Sequence, residues 1–189
     1  MKAIFLSAYL LMGTVALWAQ YEPPALEHWD AKSPDGLYWA TIKIIPDENG
    51  RSDLDTGRLL IARQSGPGKE SMYVSYDIER LIAHIEWSPD SKFLVMTTVS
   101  AGGHSPWHFN SYVYCVEDKS LRYMDDVIGL VVDPKFEFVG PHTVTMKIPG
   151  PDGPGVDFEN PRELKVDLLK QVPRMQKEAG KKEGPAVGK

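Results

Sequence analysis

His104 and His108 stand four residues apart in SAGGHSPWHFNSY (100–112), a spacing that would put two imidazoles on one helical face, where they can share a divalent metal. Pro106 lies between them and opposes a regular helix, and no neighbouring Cys or Glu completes a set of three or four ligands. No metal or cofactor is therefore expected. A small metal-dependent hydrolase or lyase using His104 and His108 stands as the alternative to a binding role. The same stretch suits binding better. Gly102 and Gly103 free the backbone, and His104, Trp107, His108, Phe109 and Asn110 gather rings and a directional amide within seven residues. These five are the candidate ligand- or partner-binding residues. The competing arrangement is a self-packed loop with Trp107 and Phe109 capping the core, which is the commoner fate of aromatic side chains.

Ser88 and Asp90, in WSPDSKFLVM (87–96), are a second place to look for chemistry, as nucleophile and helper. No G-x-S-x-G elbow surrounds Ser88, and closeness along one strand does not supply the geometry of a catalytic triad. Proline presets the first corner position, and serine and aspartate side chains bond back onto nearby backbone N–H groups. The stretch reads as a corner, so no catalytic residue is assigned. Two acidic stretches, PDENGRSDLDTG (46–57) and PGPDGPGVDFEN (149–160), lack the D-x-[DN]-x-[DN]-G spacing of a calcium loop and read as solvated turns. SGPGKES (65–71) lacks the phosphate-cradling pattern and reads as a turn too.

The elements that must position these residues are strands. TVTMKI (143–148), MYVSYD (72–77), YVYCVE (112–117) and ELKVDL (163–168) alternate apolar with polar or charged residues at period two. KFLVMTTV (92–99) is almost continuously apolar, as expected of a strand covered on both faces. Between these runs stand Gly, Pro and Asp. No amphipathic helix of ten or more residues is evident in the body of the chain. The fold class is therefore all-β, built of antiparallel blade-like sheets as a partial propeller or a sandwich-like stack.

The chain has 189 residues and a formal net charge of −5. Residues 21–172 hold fifteen basic and twenty-four acidic side chains, while 173–189 hold five and two. An acidic body argues against nucleic acid as a partner. Lys2 followed by the uncharged run 3–19 reads as an export signal, giving a signal peptide at 1–20, a β-blade domain at 21–172 and a flexible basic tail at 173–189. The expected location is periplasmic or extracellular, with no stable membrane insertion once the signal is removed. A single cysteine, Cys115, cannot form an internal disulfide and is expected to pack as a small buried group.

WSPDSKFLVM has a partner upstream in KSPDGLYWATI (32–42), with Pro34 and Pro89 55 residues apart, and a weaker third copy in FEFVGPHTVTM (136–146). These segments, with SYVYCVEDKSLRYMDD (111–126) as third strand, acidic turn and fourth strand, resemble the repeats of TolB-type β-propellers over roughly residues 29–172. The resemblance implies four-stranded blades and a habit of binding proteins or carbohydrate, without implying one activity. Three units fall short of the four blades that a closed propeller needs. A compact monomer is the first expectation. Oligomerisation, with copies completing one another, is the second.

Overall fold

In the computed structural model the period-two segments form three antiparallel sheets, each a meander in chain order. The structure describes residues 29–46, 52–64, 70–78, 82–99, 108–150 and 157–182. The first sheet has the order β1 (Trp29–Lys32), β2 (Tyr38–Pro46), β3 (Ser52–Gln64), β4 (Glu70–Ile78). The second is β5 (Ile82–Trp87), β6 (Phe93–Val99), β7 (Phe109–Cys115), β8 (Ser120–Tyr123). A short helix, α1 (Asp125–Ile128), leads to the third sheet, where β10 (Thr143–Gly150) lies between β9 (Glu137–Phe138) and β11 (Asp157–Asp167). None of the sheets closes on itself.

The middle sheet is covered on both faces, and β6 shows why its sequence is so apolar. Leu94 and Met96 meet Ala40, Ile42, Leu59 and Ile61 of the first sheet, together with Trp87 and Tyr114. Phe93 and Val95 meet Val144, Met146 and Val166 of the third sheet, together with Phe109 and Val113. Leu94, Val95 and Met96 are wholly buried. Removing each such side chain from water stabilises the fold by about 1.5–3 kcal/mol. Cys115 is buried in the same core, as expected.

The two Ser-Pro-Asp corners are built alike. Ser33 Oγ donates to Asp35 Oδ1 at 2.6 Å and accepts from the Tyr38 N–H at 2.9 Å. Ser88 Oγ donates to Asp90 Oδ1 at 2.7 Å and accepts from the Phe93 N–H at 3.0 Å. Gly36 and Ser91, the last residues of the two corners, take the same left-handed conformation with φ of 72° and 60°. The corners also touch, because the Asp35 N–H donates to Ser91 Oγ at 3.0 Å. A third corner follows, where the Asp90 N–H donates to the Pro141 carbonyl at 3.4 Å. The corners thus form a row along one end of the stack.

The chain differs from expectation in two respects. A helix, α2 (Leu168–Lys182), begins at the end of the expected β-blade segment and runs into the segment expected to be a flexible basic tail. Leu168, Val172 and Met175 recur at helical spacing and pack into the core, the helix lying against α1, β8 and β11. Pro173 sits inside this helix with its ring exposed, so the Leu169 carbonyl that loses a partner lies beside solvent. The stretches 46–57 and 149–160 are not loops throughout: β3 starts at Ser52 and β11 at Asp157. Both hairpins extend past a register shift, between Ile44 and Pro46 in one and Ile148 and Gly150 in the other. Polar residues there hid strands that continue beyond the core.

Candidate functional site

The segment 100–112 crosses the edge of the described residues, with His104 and Trp107 outside them and His108, Phe109 and Asn110 inside. β7 begins at Phe109, whose N–H donates to the Val131 carbonyl at 2.8 Å. Its ring is 6 % exposed and packs in the core between the second and third sheets. Asn110 is also buried, and its Oδ1 accepts a hydrogen bond from the Tyr123 hydroxyl at 3.2 Å. Phe109 and Asn110 are therefore held by the body of the protein and fix where the segment enters the sheet. His108, half-buried, is the most open of the three.

Just inside this entrance lies a polar group that the sequence did not suggest. Met124 follows β8 and continues the ladder, its N–H donating to the Ser111 carbonyl at 2.8 Å; Asp125, the next residue, accepts on its side-chain Oδ1 from the Ser111 N–H at 2.9 Å and from the Ser111 hydroxyl. Burial raises the Asp125 carboxyl above its ordinary value; hydrogen bonds from Ser111, the neighbouring Tyr123 hydroxyl and the charge of His108 oppose that shift without cancelling it. Thr98 is the cross-strand partner of Asn110 and is wholly buried. Thr98 Oγ1 and Asp125 Oδ2 are both buried without a hydrogen-bond partner. Tyr112 and Tyr123 pair across β7 and β8 with ring centroids 5.3 Å apart.

Serine, histidine and aspartate do meet here, but not in an arrangement suited to acyl transfer. Ser111 is wholly buried and gives its hydroxyl proton directly to the carboxylate, with no imidazole between them. Ser88 is likewise buried, its hydroxyl committed to its own corner. Among the described residues no three His, Cys, Asp or Glu side chains gather where they could hold a metal ion. At the corner row, His142 lies 3.7 Å from Asp90 Oδ2 and 3.8 Å from Asp167 Oδ1, bridging the second and third sheets. What the polar group at 108–125 offers is a partly unsatisfied frame beside His108, where the described part of the segment begins. Its members meet only through the β7–β8 register, and no local motif marks it.

The chain is similar to two solved structures at low overlap. One is the Pyrococcus horikoshii acylaminoacyl peptidase (orthorhombic crystal form), with 15 % identity and a TM-score of 0.42 over 74 % of this chain and 25 % of that one. The other is the tricorn protease, with 13 % identity and a TM-score of 0.41 over 78 % of this chain and 15 % of that one. The chain thus spans a quarter or less of either protein's length. No protein-family model and no curated protein matches the sequence.

Proposed function

We propose that the chain is an exported, non-catalytic binding module of TolB-type blades, whose partner surface is the segment 102–110. The supporting observation is the way this segment is anchored: Phe109 is locked in the core, and Asn110 is tied to Tyr123 on the adjoining strand β8. Binding residues on a connection held by a rigid scaffold keep their geometry at small entropic cost. On this reading His104, Trp107 and His108 make the contacts, while Phe109 and Asn110 position them. The acidic body favours a protein or carbohydrate partner over nucleic acid. The uncharged run at 3–19 supports a periplasmic or extracellular location.

The test uses the full chain immobilised and exposed to a cell-envelope extract. A Trp107→Ala/His108→Ala variant should retain the partner of the wild-type chain about tenfold less well, with an unchanged melting temperature. Undiminished retention, or a loss that merely follows a lowered melting temperature, would overturn the assignment of this surface.

A further inference from the structure

The corners align the sheets residue by residue, and the alignment shows which face each sheet offers its neighbour. Ser33 and Tyr38 correspond to Ser88 and Phe93, so Trp39 and Thr41 correspond to Leu94 and Met96. In the third sheet the Val139 N–H donates to the Thr143 carbonyl at 2.9 Å, as the Ser88 N–H does to Phe93 at 2.8 Å. Val144 and Met146 therefore take the places of Leu94 and Met96. The Leu94/Met96 face receives the first sheet, and the Val144/Met146 face receives the second. The corresponding face of the first sheet meets no other sheet among the described residues.

That face has the make-up of a contact surface. Trp39 is 41 % exposed, with half-buried Leu60 and Ala62 on the neighbouring strand. Lys32 places its Nζ 5.3 Å from the Trp39 ring centroid. Lys43 adds a second cation, the register places Asp30 opposite Thr41 on the same face, and Arg58 is neutralised by Asp77 at 2.8 Å. The outer face of the third sheet carries Thr143, Thr145, Lys147, Glu163, Lys165 and Asp167, with Glu137 beside Thr145. Lys170 pairs with Asp167 at 2.9 Å and Asp133 with Lys147 at 2.8 Å, which leaves Glu137 and Glu163 against Lys165, and Thr145 Oγ1 is buried without a partner. One free end of the stack thus carries a small excess of positive charge and is partly apolar, and the other carries a small excess of negative charge and is polar.

We propose that a second copy of the chain covers the Trp39 face, using the outer face of its third sheet. The contact repeats a packing that the molecule already makes twice, and the charges are complementary. If each copy does this to the other about a two-fold axis, the two stacks close into one ring of sheets and no face is left open.

Sedimentation velocity of the full chain tests this. The wild-type chain should be a dimer at micromolar concentration. Lys32→Glu/Lys43→Glu reverses one face, and Glu137→Lys/Glu163→Lys reverses the other; all four side chains are exposed. Each double variant alone should dissociate about tenfold more readily. An equimolar mixture should recover the dimer, because a mixed pair has one doubly reversed and one wild-type contact. That rescue cannot come from misfolding. A wild-type monomer, an open polymer, indifference to either reversal, or no recovery on mixing would overturn the proposal.

Discussion

At the residue scale the corners show how one atom can justify an unfavourable backbone. Ser91 holds a left-handed conformation that costs a side chain about 1–2 kcal/mol, at the position where the other corner has Gly36. Its Oγ is the acceptor for the Asp35 N–H of that other corner. Ser91→Ala keeps the conformational cost and loses the bond, so it should destabilise by about 1 kcal/mol in urea denaturation. Ser91→Gly loses the same bond but relieves the backbone, and should cost less than alanine. Asp125 offers a second test. Its carboxyl is raised by burial, so the folded state binds its proton more tightly than the unfolded chain. The stability from this group is therefore present below the unfolded value near 3.8 and is lost as pH rises through the folded value. Asp125→Asn should remove that loss, and the gap between variant and wild-type stability should widen from acid toward neutral pH in thermal melts.

At the element scale α2 carries the clearest prediction. Met175 is 3 % exposed against the core, so Met175→Ala should cost about 2–3 kcal/mol, measured by chemical denaturation. Removal of residues 173–189 should destabilise further, whereas a merely solvated tail would leave stability unchanged. This helix also marks the limit of what the sequence makes legible. Strands such as Thr143–Gly150 announce themselves because one face is wet and the other dry, a period that local composition records. Leu168 fits the alternation of β11 as well as the first turn of α2, and Pro173 hides the helix from a local reading. The same limit applies to the site. The stretch holding His108 is conspicuous for its residue types, but the Ser111–Asp125 contact depends on how the β7–β8 register places the residues that come after β8. The corners were legible because serine, proline and aspartate act on backbone two to five residues away.

On the scale of the whole molecule, charge and layering set the behaviour. Burial opposes ionisation of Asp35, Asp118 and Asp133, but hydrogen bonds from Ser33, from Ser120 and Arg122, and from Lys147 respectively outweigh it and lower all three carboxyls. Such groups stabilise the fold above the unfolded value near 3.8, and that stability is lost as pH falls through their lower folded values. Acid melts should therefore show stability declining below that pH, opposite in direction to the Asp125 contribution, and Asp133→Asn should flatten the decline. The layering itself is the claim on which the binding surface and the proposed ring both depend: a middle sheet enclosed on two faces, with β6 at its centre. Residue-resolved amide hydrogen exchange measures it most directly. The account predicts that the amides of Phe93–Val99 are the slowest in the protein, well behind those of the edge strands β4 and β11. Exchange along Phe93–Val99 as fast as at those edges would contradict it.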